Sequence, residues 1–458
     1  MIADARQWAP TLPSIMAHEA PQWLLDAKLG IQFVGAPGQY DDQQWYHWSR
    51  SAQRARELGF DATDEATRAY LDDFAPVVGV DYVRDVQALA DPDETMQAYR
   101  QTGARFLVSM LHGAYPGTEG LRMTRGEVDA ARRAGLNVGI HYNLIRRGRT
   151  PSLGDPGYVD WWHDRVSTEV ESIGADFVFF DGSQGASSAY LRTVPFVAWY
   201  YNWADTNGKD VWVNDDLGID LQEGFLYGDV WDLETKTFDA VAPGPFINWD
   251  TLRNEWNTWI NEFGRHRRNG DLWEWVYRDP ADLLQIFIHN VSIGGVWVVQ
   301  MVNTAEAWVR MRRIGDWLAV NGEAIYGTRP FRSPDPNARP LPDHLRGEPA
   351  IAGTPPRPAD PSGVRWWQFQ QTVSIAEHHG PFYFTRRGNT VYAIYWGLPE
   401  GTLIIPGIMA AEGAVVRVLG VDGELEWEQR GDDLAVAVPA MPAAEFAVSF
   451  AVAPASAP

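Results

Sequence analysis

The sequence predicts an α/β chain in which a (β/α)8-like TIM barrel, irregular in its later part, is followed by an antiparallel β-sandwich. Three observations carry this. Helix, glycine and strand signals recur three times between residues 91 and 181, the rhythm of a parallel sheet with helical crossovers. Ten prolines between Pro330 and Pro361 then remove any apolar period. Beyond them the period becomes two, in short runs separated by turns such as Asp422-Gly423. The expected division is a barrel over 1–330, a proline-rich connection over 331–362 and a sandwich over 363–454.

The elements follow in order. A short amphipathic turn from Gln22 leads into a first strand at Gly30 to Val34, then a glycine-rich loop and the aromatic Gln44-Trp45-Tyr46. Residues 60–90 are acidic and mostly helical in pattern. Asp91-Pro92 reads as an N-cap with a first-turn proline, Gly103 as the stop, and 105–110 as the next strand. Thr124-Arg-Gly-Glu127 has capping-box spacing and opens a helix ending at Gly135, before a strand over 137–142. Asp155-Pro156 is expected to open a third helix, with Val159, Trp162, Val166, Val170 and Ile173 on one face and Gly174 as its end. Further strands are expected at 211–213 and 295–301 and a last barrel helix at 305–320, while eight units cannot be counted cleanly between Leu217 and Pro280. The sandwich strands are expected near 382–385, 390–396, 403–405, 415–419, 434–438 and 446–450.

The third unit ends in Ala175-Asp-Phe-Val-Phe-Phe-Asp-Gly-Ser183. Four apolar residues in a row suit a strand buried on both faces, and Asp181 stands where that strand should end. The C-terminal strand ends of a barrel carry its chemistry, so Asp181 is a candidate functional carboxylate. The alternative is an N-cap of the following helix.

Composition narrows the partners. The 458 residues are 45% apolar and 21% charged, globular proportions for about two domains. A formal charge of −22 opposes nucleic acid and anionic membranes. The absence of cysteine removes disulfides and thiolate chemistry. Twenty-two tryptophans tilt weakly towards sugar, whose C–H faces pack on indole. The first ten residues lack a signal pattern, which leads to the expectation of a cytoplasmic protein, although a removed signal peptide leaves no trace. Homo-oligomerisation is left open.

Over nearly its whole length the chain resembles glycoside hydrolase family 29, the α-L-fucosidases. The matching stretches are Trp23-Leu-Leu-Asp-Ala-Lys-Leu-Gly30, Gln44-Trp45-Tyr46, Gly103-Ala-Arg-Phe106, Gly135-Leu-Asn-Val-Gly-Ile-His-Tyr142, Phe179-Phe-Asp-Gly182, Asn214-Asp215 and Ile314-Gly-Asp-Trp-Leu-Ala-Val-Asn-Gly-Glu-Ala-Ile-Tyr-Gly-Thr-Arg-Pro330. The last is the most specific. The resemblance implies a barrel with a sandwich, a retaining mechanism, Asp181 as nucleophile, and Gln44, Trp45, Tyr46, His112 and Tyr142 among the substrate contacts, with a glycoside or oligosaccharide as the partner.

Departures from the family pattern gather in the pocket. Its His-Trp-Gly after the first strand is Val34-Gly-Ala36 here, or Ala36-Pro-Gly38 with a gap. Its Glu-Trp-Tyr begins with Gln44, its two-histidine loop is shortened to Leu111-His-Gly-Ala-Tyr115, and its Asn-Asp-Arg becomes Asn214-Asp215-Asp216. The acid/base glutamate of the bacterial branch falls on Thr237, whose hydroxyl cannot serve as that acid. Candidate replacements are Glu234, Asp239 and Asp216, each of which also reads as a solvated loop acid. A pocket recast for a sugar other than, or in addition to, L-fucose is therefore expected. A non-catalytic sugar-binding descendant is the alternative. His141 should point to the opposite side of its strand from Tyr142, as a structural histidine. No His/Asp/Glu pair has tight ligand spacing on one element, so neither a metal nor another cofactor is expected. The sequon Asn290-Val-Ser292 lies in an expected apolar strand and is discounted.

Overall fold

The structure is a computed structural model, and it describes residues 7–35, 91–111, 122–144, 151, 153–182, 186–221, 229–233, 238, 241–242, 244–252, 267–269, 272–274, 279–301, 305–332, 380–439 and 445–458. Eight parallel strands form one sheet. These are β1 (Leu29–Gln32), β2 (Phe106–Met110), β3 (Asn137–Asn143), β4 (Phe177–Asp181), β5 (Trp212–Val213), β6 (Trp231–Asp232), β7 (Phe246–Thr251) and, after a small hairpin of β8 (Arg267–Asn269) and β9 (Leu272–Glu274), β10 (Gly295–Gln300). Their order is β5-β4-β3-β2-β1-β10-β7-β6. A parallel bridge between Asn214 and Val230 joins the two ends of that order. The seam is reinforced by Asp229, whose backbone N–H donates to the Val213 carbonyl at 2.9 Å and whose carboxylate accepts from the Val213 N–H at 3.0 Å. The sheet is thus a (β/α)8-like barrel. β5 falls within the strand expected at 211–213, while β6 and β7 supply the units that could not be counted between Leu217 and Pro280; β6, at two residues, shows no period.

The expected caps of the first crossovers form. Helix α3 (Pro92–Gln101; α1 is Leu12–Ile15 and α2 is Gln22–Ala27) is capped by the Asp91 carboxylate, which accepts from the Asp93 N–H. Helix α4 (Arg125–Arg133) carries the full Thr124–Glu127 capping box. Helix α5 (Tyr158–Ile173) corrects an expectation: Gly157, with a left-handed φ of 80°, is its N-cap, so the helix opens after the Asp155-Pro156 turn and not at it. Gly174 ends it in a left-handed conformation. After α6 (Ser188–Leu191) and α7 (Thr193–Thr206), α8 (Pro280–Ser292) places the buried Asn290 on a helix, where a strand was expected, and α9 (Ala305–Asn321) closes the barrel layer. No helix among the described residues is long and apolar enough to cross a membrane.

Register and ring contacts identify the inward faces. Phe179 on β4 and Trp249 on β7 meet with ring centroids 4.4 Å apart although their strands are not neighbours, so the contact crosses the interior. His141, Phe177 and Phe106 share that face through the pairings Met110↔His141 and His141↔Phe179, and so do Gly30 and Gln32 through Gly30↔Phe106 and Gln32↔Val108. At the N-terminal end of the barrel, Trp23, Phe106, Phe177 and Trp212 form a continuous series of ring contacts. Two glycines make room for it: a Cβ on Gly30 would lie 2.2 Å from the Phe106 ring, and one on Gly139 would lie 2.3 Å from the Phe177 ring.

The chain continues through β11 (Arg329–Pro330) into β12 (Phe382–Arg387), β13 (Thr390–Trp396), β14 (Thr402–Ile405), β15 (Met409–Val418), β16 (Trp427–Arg430), β17 (Asp433–Ala437) and β18 (Ala447–Ser456). These make an antiparallel sheet β11-β12-β13-β18-β15 and a second, β14-β17-β16. Phe384, Val416 and Phe450 of the first share one core with Ile405, Leu434 and Val436 of the second, as the period of two requires. The polar β16 was not expected. The sandwich is fixed to the barrel by Trp317, whose indole donates to the Ala447 carbonyl at 2.8 Å, and by Thr385, whose hydroxyl donates to the Ala324 carbonyl at 2.6 Å.

Candidate active site

The inward positions change character towards the C-terminal strand ends. Asp181 is the last residue of β4, with a side chain about a third exposed at 33%. It does not cap a helix. The helix that follows is capped by Ser187, whose hydroxyl accepts from the Tyr190 N–H. The Asp181 carboxylate instead accepts from the Asn143 Nδ2 at 2.8 Å, from the residue beside it on β3. The N–H of Gly182 donates to it as well. Gly182 has a φ of 76°, and a Cβ there would lie 2.7 Å from the Asn143 Oδ1. Glycine is therefore required twice, by the backbone and by the amide packed on it.

Desolvation by the aromatic surround raises the Asp181 pKa above the ordinary carboxylate value, and the bonds from Asn143 and Gly182 pull it back without cancelling that shift. Nε2 of His141 lies 3.7 Å from the carboxylate. Burial lowers the His141 pKa to about 3, so the ring is neutral at working pH and the contact is not an ion pair. The ring stacks on Phe179 and touches Trp249 at 5.3 Å.

The other expected residues fall in three groups. Gln44, Trp45, Tyr46, His112, Glu234 and Asp239, with Thr237, lie outside the described residues. Tyr142 requires a correction: it is fully buried on the outward face of β3, its ring stacked on Trp162 of α5, while its neighbour His141 faces the interior. The side chain at this strand end that faces the barrel interior is thus that of His141. Asp216 is half-buried after β5. The two residues before it serve the scaffold. Asn214 both accepts from the Phe180 N–H and donates to the Phe180 carbonyl at 2.8 Å, and Asp215 accepts from the Asp232 N–H at 2.9 Å.

Sequence reasoning missed Asn143 and Asp232. Asp232 ends β6 on the interior face, since its partner Ile247 shares the face of Trp249. For Asn143 strand alternation offered the signal, although only the register shows which phase faces inward; the two-residue β6 offered none for Asp232.

A strand-end carboxylate held by two hydrogen bonds at the mouth of a parallel barrel is suited to attack an electrophilic carbon. Known proteins agree with that architecture. The family profile described as Alpha-L-fucosidase matches residues 127–323, from α4 to the end of α9. The human tissue alpha-L-fucosidase is 22% identical over 485 residues, covering 97% of this chain and 91% of its own. The chain is thus similar to the α-L-fucosidases of glycoside hydrolase family 29. An alpha-L-fucosidase of Branchiostoma floridae is 25% identical, covering 71% of this chain and 77% of its own. The crystal structure of a Thermotoga maritima alpha-fucosidase superposes with a TM-score of 0.62 at 16% identity, covering 97% of this chain and 100% of the other, and shares its fold.

Proposed function

We propose that the protein is a retaining exo-glycosidase resembling the α-L-fucosidases, in which Asp181 attacks the anomeric carbon and forms a covalent glycosyl-enzyme. The observation that carries this reading is the placement of Asp181: at the barrel mouth, oriented by Asn143 and Gly182, in a chain whose relatives are named fucosidases. Retention needs a second carboxyl about 5 Å away on the other side of the glycosidic bond, acting first as acid and then as base. Glu234 or Asp239 supplies it in this proposal, from the segment that follows β6, with Asp216 as the third choice. Gln44, Trp45, Tyr46, His112 and Asp216 contribute substrate contacts. The substituted pocket positions favour a sugar other than, or in addition to, L-fucose. Asp216 stands where the family carries a cation and favours a hydroxyl donor.

The test is a panel of aryl glycosides, including the α-L-fucoside, fully hydroxylated hexosides and pentosides, with the wild type and Asp181→Asn. Aglycone release by the wild type that falls by about 10³-fold or more in the variant is expected. The variant should be at least as stable as the wild type in urea near neutral pH. A carboxyl whose folded pKa is raised contributes less stability as pH rises through that value, and the amide does not ionise. Undiminished release by Asp181→Asn overturns the proposal. Binding of sugar without release from any glycoside assigns the chain to the non-catalytic reading.

A further inference from the structure

Gln32, the last residue of β1, has a side chain that is 0% exposed and faces the barrel interior, and neither its Nε2 nor its Oε1 has a hydrogen-bond partner among the described residues. Gln300, the last residue of β10, faces the same interior through Val298↔Trp249 and Gln300↔Thr251, and its Oε1 is likewise buried without a partner. The two stand side by side, because β1 and β10 pair up to Ile31↔Val299, one residue before each. A tilted eight-stranded barrel draws each interior layer from alternate strands. One such layer holds Gln32, His141 and Trp249 of β1, β3 and β7, consistent with the ring contact between the last two. The layer above takes Met110, Asp181 and Gln300 from β2, β4 and β10. Gln32 therefore lies one layer beneath the Asp181 carboxylate, and Gln300 at its level.

A buried amide with no partner is destabilising, and an apolar side chain of similar volume would fill the same space without that cost. The aromatic base two residues below shows that the interior can be filled that way. A side-chain amide offers a donor and an acceptor, the complement of an alcohol. We propose that Gln32 and Gln300 form a polar floor to the sugar subsite and select a sugar with a hydroxyl on its most deeply inserted carbon over the deoxy sugar lacking it. A site built to bond a hydroxyl discriminates strongly, because the analogue without it leaves the buried amide unpaired. This inference rests on the glycosidase reading for the identity of the ligand.

The test is calorimetric binding of L-galactose and of its 2-deoxy, 4-deoxy and 6-deoxy forms, the last being L-fucose, to the wild type, Gln32→Met and Gln300→Met. In the wild type one of the deoxy sugars should bind at least about tenfold more weakly than L-galactose, and Gln32→Met should abolish that difference, with Gln300→Met reducing it. The melting temperature of Gln32→Met should be unchanged or higher, since the variant removes an unpaired buried amide; a structural role would lower it. Equal binding of all four sugars by the wild type, a preference retained in both variants, or no binding of any of them overturns the proposal. If the preference is found and depends on Gln32 while no aryl glycoside is cleaved, the floor stands and the glycosidase reading falls.

Discussion

The two ends of the barrel interior are made by the same strands and differ in what fills them. At the N-terminal end Gly30, Phe106, Gly139 and Phe177 form an aromatic base in which glycine on one strand admits phenylalanine from the next. Two to four residues on, the same inward faces carry Gln32, Met110, His141, Asn143 and Asp181. The base keeps apolar volume out of water and holds the strands in register. The mouth buries polar groups whose desolvation opposes folding, as the raised Asp181 and lowered His141 pKa values record. Substitutions at the base should therefore act on stability alone, and substitutions at the mouth on turnover.

The largest expected effect on this comparison comes from the base. Gly139→Val places a Cβ 2.3 Å from the Phe177 ring, far inside van der Waals contact, and Phe177 is held by Phe106 on one side and Trp212 on the other. Overpacking of this kind costs about 1–3 kcal/mol, and a lower urea midpoint should report it. The rate per folded molecule should stay within about twofold, since one kcal/mol of barrel strain need not reach the carboxylate. A variant of normal stability with a collapsed rate would show that base and mouth are not separable.

Asn143→Ala tests the mouth. The amide bonds the ionised carboxylate, so its loss raises the Asp181 pKa further, and on the proposed mechanism that carboxylate must be ionised to react. The acid limb of the pH–rate profile should move upwards by about one unit, with kcat lower by about tenfold at neutral pH and the urea midpoint within about 1 kcal/mol of the wild type. An unmoved acid limb would remove Asn143 from the positioning of Asp181.

What the sequence showed follows the same division. Caps with local chemistry were legible: Asp91 and Thr124 act within three residues, so their partners are written beside them. The Asp155-Pro156 turn misled because a proline after an aspartate suits a turn as well as a helix start, and the left-handed Gly157 decided between them. The barrel was legible as a rhythm but not as a count: the strand at 211–213 was read and is β5, whereas β6, two residues long and dependent on its pairing with β7, and β7 itself were not. Asp181 stood out as a charge ending an apolar run. Gln32 did not, since a lone glutamine in an apolar strand reads as easily outward as inward, and its orientation follows only from its register with Val108.

The smallest expected effect is the sharpest use of alternation. His141 and Tyr142 are adjacent on β3, and the family resemblance pointed to Tyr142 as the residue that meets substrate. The pairing Tyr142↔Phe180 places it with the outward side chains, and Trp162 of α5 contacts both rings. Tyr142→Phe keeps that packing. Its KM and kcat should stay within about twofold of the wild type, whereas His141→Gln, which removes a ring 3.7 Å from the Asp181 carboxylate, should lower kcat/KM by about tenfold. Because His141 is neutral above a pH of about 3, that loss should be the same at every pH from 5 to 8. A larger effect from Tyr142→Phe than from His141→Gln would mean that β3 presents its other face to the substrate, and the assignment of inward residues on all eight strands would have to shift by one.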